Sequence, residues 1–200
     1  MNKNCLLCGV GGQGVVLASK LIAYAAMEKG MEVRTSETIG MSQRGGSVAS
    51  HVRMGQEIYS PMIPRHSADV ILAFEPAEAV RSLSYLKKGG VVVVNKKAVK
   101  PVTAALSRSC YDGGEMICYL RKQAERLYVV DGEAVCRKVG SPKVLNVALL
   151  GAALGSGVLD ISLTDMERQL SVTLKPQFTA MNLKALKMGA DLAGVRLSEK

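Results

Sequence analysis

Two glycine-bearing stretches hold the residue types and spacings most able to do chemistry. The first is Gly9-Val10-Gly11-Gly12-Gln13-Gly14, where Gly9, Gly11 and Gly14 satisfy the spacing G-x-G-x-x-G between an apolar strand pattern and an apolar-periodic helix pattern. There glycine lets the backbone turn tightly and lets a phosphate approach the amide N–H groups at the positive end of a helix. The same glycines would serve close strand-to-helix packing equally well, and the spacing does not separate the two uses. The second stretch runs from Glu37 to Ser47. Its Ser42, Gln43, Arg44, Gly45 and Gly46 combine polar groups, a pliable backbone and one guanidinium, whose planar donors can grip phosphate or carboxylate. That composition fits an anion-binding or subunit-docking loop, and also a plain glycine-rich connector.

Other reactive side chains point to less. A nicotinamide fold needs a carboxylate about 20 residues beyond the glycines, at the end of the second strand. Here Glu32 lies at that strand's start and Arg34 near its end, a poor arrangement for NAD, although Arg34 and Ser36 could meet the extra phosphate of NADP. An independent NADP-binding Rossmann-like dehydrogenase domain is therefore the alternative reading. Cys5 and Cys8 have the spacing of a redox or zinc pair, but in a strand residues three apart point to opposite faces, so the sulfurs should diverge. Cys110, Cys118 and Cys136 have no metal-ligand spacing, so no metal site and no iron-sulfur cluster is expected in this chain. His51 lacks a Ser, Cys or Asp partner by motif and reads as an exposed or interface strand residue, while His66 carries no signal. Glu75 and Glu78 sit at a helix start, where carboxylates complement the dipole, rather than as an acid/base pair. No residue is assigned a catalytic role.

The elements that must position these residues follow from periodicity. Cys5 to Val10 reads as a strand, Val15 to Ala26 as a helix ended by Gly30, and Met31 to Thr35 as a second strand, together a βαβ start that joins parallel neighbours. A polar loop is expected from Ser36 to Gly46. Ser47 to Met54 alternates like a half-buried strand, with Val48, Ser50 and Val52 on one face and His51 and Arg53 on the other. Ala68 to Phe74 suits a central strand, Pro76 to Leu86 a helix closed by Gly89-Gly90, and Val91 to Val94 a strand buried on both faces. Val99 to Ser109 reads as irregular. Gly114 to Arg126 forms a helix before a short strand, Leu127 to Val130. Beyond it the chain is helical: Ser141-Pro142 opens one helix, Ser162 with Asp165 makes a capping box for the next, and Pro176 opens a terminal helix to about Leu192. The alternation predicts a three-layer α/β/α sandwich, Rossmann-like, with a mostly parallel sheet and a helical segment over 141–200.

Composition bounds the function. The 200 residues, 48% hydrophobic, suit one domain over 1–200. Val144 to Leu159 falls short of the ~20 apolar residues that span a bilayer, and the first residues lack a signal-peptide pattern, so the expected location is the cytoplasm, with no membrane partner. Five cysteines, an odd number, argue for reduced thiols. The formal charge of +9 favours anionic partners. Nucleic acid is the least suited, because there is no Trp, only two Phe, and no basic stretch interleaved with aromatics. Scattered lysines such as Lys184 and Lys187 read as solvated surface.

Taken in order, several motifs resemble the gamma-type subunit or domain of the 2-oxoacid:ferredoxin oxidoreductases. They are Gly9 to Gly14, Ser42 to Val48 with His51-Val52-Arg53, Ser60-Pro61-Met62-Ile63-Pro64, the strand from Ala68-Asp69 that ends Phe74-Glu75-Pro76-Ala77-Glu78-Ala79, and Asn146 to Ala152. The resemblance covers most of residues 3 to 157, and as a free-standing chain it is nearest the indolepyruvate type. It implies a subunit inactive alone, whose large partner carries thiamine diphosphate with Mg and the 4Fe–4S clusters. That holoenzyme would decarboxylate a 2-oxoacid, pass electrons to ferredoxin and release an acyl-CoA. It further implies that Gly9, Gly11, Gly12, Gln13 and Gly14, with Ser42, Gln43, Arg44, Gly45 and Gly46, shape an interface near CoA. Arg44 is the candidate anion contact, and the basic surface would attract CoA phosphates or an acidic ferredoxin.

Overall fold

Apolar strands alternating with one-sided helices give a sheet covered on both faces. The computed structural model describes residues 2–39, 45–100, 111 and 113–193. In chain order the elements are β1 (Lys3–Val10), α1 (Val15–Glu28), β2 (Glu32–Ile39), β3 (Ser47–Gly55), β4 (Ala68–Ala73), α2 (Pro76–Ser82), β5 (Leu86–Asn95), α3 (Gly114–Gln123), β6 (Arg126–Val130), α4 (Gly132–Val139), α5 (Leu145–Gly155), α6 (Leu163–Thr173) and α7 (Pro176–Ala193). The six strands form one sheet in the order β2-β3-β1-β4-β5-β6. β1, β4, β5 and β6 run parallel, whereas β3 is antiparallel to both of its neighbours. This is the expected α/β/α sandwich.

The core follows the two-residue period of the strands. Cys5 and Leu7 of β1, Val52 of β3, Leu72 of β4 and Val93 of β5 face α1, α5 and α6. Leu6, Cys8, Ile71, Val92 and Val94 face the other way, against Ala79 of α2 and Leu120 of α3. Cys5 and Cys8 thus lie in opposite layers. Burial raises both thiols, that of Cys8 to about 12, so neither is a thiolate near neutral pH. Helices α5 and α7 meet along a glycine and alanine seam. A Cβ on Gly189 would stand 1.9 Å from the Ala148 carbonyl oxygen, and one on Gly151 would stand 2.1 Å from that of Leu186.

Several expectations are corrected. β1 and β2 run parallel but are not neighbours, because β3 is inserted between them as the return arm of a hairpin with β2. β2 also continues past Thr35 to Ile39, so residues 36–39 belong to strand rather than loop. Polar side chains on an exposed edge strand give no alternation to read. The helix from Pro76 stops at Ser82, a 3-10 turn covers Leu83–Tyr85, and β5 starts at Leu86. Gly89 and Gly90 lie within that strand, beside a register shift between Ala68 and Val70 of β4, and close no helix. α4 is the first helix of the stretch beyond β6 that the pattern reads as helical without giving this helix bounds. Of the segment read as irregular, 101–109 lies outside the described residues. The capping box at Ser162 and Asp165 is present as expected, and no helix among the described residues is long and apolar enough to cross a membrane.

Candidate functional site

The carboxyl ends of the parallel strands form one rim, and the two glycine stretches meet there. Gly11 N–H donates to the Gly46 carbonyl at 2.8 Å and Gly45 N–H donates to the Gly11 carbonyl at 3.3 Å, extending the β1–β3 ladder beyond Val10↔Ser47. Gly12 and Gly14 take positive φ, and Gly14 caps α1 with no side-chain hydrogen bond. The N–H groups of the first helical turn therefore stay available at the rim. Gly9, Gly11, Gly12, Gln13, Gly14, Gly45 and Gly46 are brought together, while Ser42, Gln43 and Arg44 lie outside the described residues.

Gln13 does not project freely. Its Oε1 accepts from Val10 N–H at 2.7 Å, and its Nε2 donates to the Phe74 carbonyl at 3.1 Å, so the side chain bridges the ends of β1 and β4. Gly9 lies in β1 directly beneath it: a Cβ there would sit 2.8 Å from Gln13 Oε1 and 2.8 Å from Phe74 Cβ. From the other side, buried Asn95 donates to the same Phe74 carbonyl at 3.3 Å, and its Oδ1 accepts from Gly132 N–H at 3.3 Å. In an open α/β sheet, ligands bind in the crevice where strand order reverses, here between β1 and β4. Gln13 crosses that crevice. Arg34 lies on β2, two strands and so about 10 Å from β1. The geometry therefore does not favour a dinucleotide-binding dehydrogenase.

Two cavities flank the bridge. One, of about 410 Å³, is lined by Val10, Gly11, Gly12, Gly14, Val15, Val16 and Val48. Its described lining is valine and glycine without a titratable side chain, so those residues can receive an apolar group or an anion on backbone N–H groups. The other, of about 470 Å³, reaches Gln13 and Asn95 and is edged by Arg137 and the Lys97–Glu133 ion pair.

Beside the rim lie two buried carboxylates whose extent the sequence did not reveal. Glu75 caps α2 by accepting from Glu78 N–H at 3.0 Å, as the helix-start reading expects. Its Oε1 also accepts from Tyr111 Oη at 3.0 Å and Val99 N–H at 3.3 Å. Burial, followed by the Glu75 carboxylate, pushes the Tyr111 phenol up to about 12. Glu78 accepts from Ser47 Oγ at 2.6 Å and pairs with Arg81. Both carboxylates thus tether the loops around the glycine turns. The Glu-Pro pair at a strand end was the available signal for the first of them, since it marks an N-cap followed by Pro. Nothing local marks the reach from Glu78 to Ser47.

His51 is not an exposed strand residue but is 3% exposed. Its Nδ1 accepts from Ile63 N–H at 3.2 Å, and its ring packs edge-on against Tyr85 with centroids 5.5 Å apart. Desolvation lowers its pKa and holds it neutral. Arg53 supports the same loop by donating to the Ser60 and Met62 carbonyls. Among the described residues no three His, Cys, Asp or Glu side chains converge as a metal site. Cys118 is exposed on α3 and Cys136 lies on α4, so the described thiols do not fit a cluster.

Comparison with known proteins is consistent across sequence and structure. The family model described as "Pyruvate ferredoxin/flavodoxin oxidoreductase" matches residues 4–192. Indolepyruvate oxidoreductase subunit IorB of Archaeoglobus fulgidus is 39% identical over 194 residues, 96% of each chain. The keto/oxoacid ferredoxin oxidoreductase gamma subunit of Geobacter sulfurreducens PCA superposes with a TM-score of 0.69 at 24% identity, covering 96% of this chain and 98% of that one. The 2-oxoglutarate:ferredoxin oxidoreductase of Magnetococcus marinus, solved with 2-oxoglutarate, coenzyme A and succinyl-CoA bound, gives a TM-score of 0.73 at 21% identity. It matches 96% of this chain but only 31% of its own, so there the same fold is one part of a longer polypeptide.

Proposed function

Because the chain belongs to the pyruvate ferredoxin/flavodoxin oxidoreductase family and is a subunit of a 2-oxoacid:ferredoxin oxidoreductase, we propose that it is the small subunit of the indolepyruvate or arylpyruvate type, inactive alone. It completes a complex whose larger subunit carries thiamine diphosphate, Mg and the 4Fe–4S clusters. The described cysteines diverge and do not fit a cluster. The complex works in the cytoplasm, with ferredoxin as electron acceptor.

This chain contributes a shaped rim. The joined turns at Gly11, Gly12 and Gly14, with Gly45 and Gly46, present backbone N–H groups and the N-terminus of α1 toward the larger subunit, and that end of a helix favours an anion. CoA is the anion this reading places there. Arg44, with Ser42 and Gln43, is the side-chain contact proposed for that anion, and Arg137 adds positive charge in the adjoining cavity. Gln13 acts from within the rim, because its amide is engaged by Val10 and Phe74.

The observation that carries this reading is the direct bonding of the two glycine turns, at a rim beside a cavity whose described lining is valine and glycine, on a chain matched almost end to end by indolepyruvate oxidoreductase subunits. Coexpression with the larger subunit tests it. The chain alone should be colourless and inactive. The purified complex should be brown and should oxidise arylpyruvates with CoA and ferredoxin in preference to pyruvate or branched 2-oxoacids. A lone chain that oxidised a 2-oxoacid, or a complex indifferent to aryl side chains, would refute it.

A further inference from the structure

Two carboxamides and two glycines at the rim are matched to one another. The chain of contacts runs from Val10 N–H to Gln13, from Gln13 to the Phe74 carbonyl, from that carbonyl to Asn95, and from Asn95 to Gly132 N–H. It ties together the ends of β1, β4 and β5 and the start of α4, which follows β6. Each amide rests where a glycine makes room. A Cβ on Gly9 would strike Gln13 Oε1 at 2.8 Å, and a Cβ on Gly132 would stand 3.0 Å from Asn95 Oδ1 and 2.3 Å from Leu145 Cδ1. Asn95 is 1% exposed, and its two polar atoms are both engaged. Such a relay is intolerant of partial loss, since a buried polar group left without its partner costs more than the bond itself contributed.

The relay meets the glycine turn at its Gln13 end. Gln13 is itself a residue of the turn, so fixing its amide against Phe74 fixes the peptide plane between Gly12 and Gly14, from which α1 begins. We propose that Gln13 and Asn95 are positioning residues that preset the glycine turn for the larger subunit, acting through the Phe74 carbonyl. This rests on the reading that the rim is the docking edge. It adds which side chains hold that edge in its binding form, and preorganisation of this kind lowers the ordering cost of association.

The test uses isosteric changes on the assembled complex. Gln13→Glu keeps the shape and the acceptor for Val10 N–H but sets a carboxylate against the Phe74 carbonyl; Asn95→Asp does the same from the β5 side. The expected result is an affinity for the larger subunit about tenfold weaker near pH 8, the equivalent of one net hydrogen bond. The loss should reverse near pH 5.5, because a carboxyl pressed against a carbonyl keeps its proton above the usual range of about 4 and then donates again. A space-filling role would show neither the loss nor the reversal. Gln13→Glu that assembles like the wild type near pH 8 overturns the proposal. Should that variant fail to fold, Asn95→Asp gives the same decision. If the wild type binds no thiamine-dependent partner, the functional reading fails separately. Hydrogen exchange of the Gly11 and Gly12 amides in the free chain then decides the relay: exchange about tenfold faster in Gln13→Glu supports it, and unchanged exchange overturns it.

Discussion

The seam between α5 and α7 and the rim at the strand ends both depend on glycine, for opposite reasons. At the seam Gly151 and Gly189 remove side chains so that two helices touch backbone to backbone, and the interface is shape alone. At the rim Gly9 and Gly132 remove side chains so that two amides can lie across the strand ends, and the interface is polar. Shape fails abruptly under added volume but ignores pH and ligand. A polar relay fails by degrees and responds to both. The division places stability in the helical layer and adjustability at the docking edge.

The largest effect should come from overfilling the seam. Gly189→Val would place a Cβ 1.9 Å from the Ala148 carbonyl oxygen, a backbone atom that cannot swing away. Overpacking of this kind costs about 3 kcal/mol, occasionally more. The chain should lose its cooperative urea transition or show a markedly lower midpoint, with α5 and α7 parted. A variant as stable as the wild type would show that the seam can breathe.

At the rim the same kind of change should cost less and do something different. Gly9→Ala meets a side-chain amide and Phe74 Cβ at 2.8 Å, and the amide can yield. Destabilisation of about 1–2 kcal/mol is expected from overpacking with partial relief, together with weaker assembly because Gln13 is displaced. Circular dichroism melts and subunit titration separate the two effects. Equal losses of stability and of assembly would mean that the rim is only scaffold.

What the sequence disclosed divides along the same line. Local pattern exposed β1, α1, β3, β4, the Ser162 capping box and the divergence of Cys5 from Cys8, because each depends on neighbours in the chain. It exposed the two glycine stretches but not their bond to each other, since Gly11 meets Gly45 and Gly46 only after β3 folds back beside β1. The insertion of β3, the burial of His51 under Ile63, and the reach of Glu78 to Ser47 are long-range facts without a local signature. Gln13 was readable as a polar residue in a glycine turn. That its amide faces inward followed only from Phe74, 61 positions away.

A third contrast is pH. The seam has no ionisable group in its glycine contacts, whereas His51 holds the Ile63 loop as a neutral acceptor. Its folded pKa lies below the ordinary 6.5, so the unfolded chain binds the proton first. The unfolded state then carries more protons, stability rises with pH through that range, and it is lost as pH falls below about 6.5. Protonation also turns the acceptor Nδ1 into a donor facing Ile63 N–H. Urea midpoints between about pH 7 and pH 5 should fall for the wild type and stay flatter for His51→Leu, with amide exchange at Ile63 speeding up first. Equal slopes in the two proteins would remove His51 as the cause.

The smallest effect tests whether any polar contact matters on the helical side. Asp165 completes the box at the start of α6 by accepting from Ser162 N–H at 3.0 Å, while Ser162 Oγ accepts from Asp165 N–H at 3.1 Å. Those Ser162 bonds, with a lesser contribution from Lys29, hold the carboxyl down at about 2. A depressed acid contributes stability above its unfolded value of 3.8, and that contribution disappears between 3.8 and about 2. Because both side chains of the Lys29 pair keep contact with solvent, screening discounts it. Asp165→Asn should therefore cost no more than about 1 kcal/mol near neutral pH, and the cost should shrink toward pH 3 as the wild-type carboxylate takes up its proton. If the cost exceeded that of Gly9→Ala, the helical layer would depend on its caps as much as on its seam, and the contrast between the two regions would collapse.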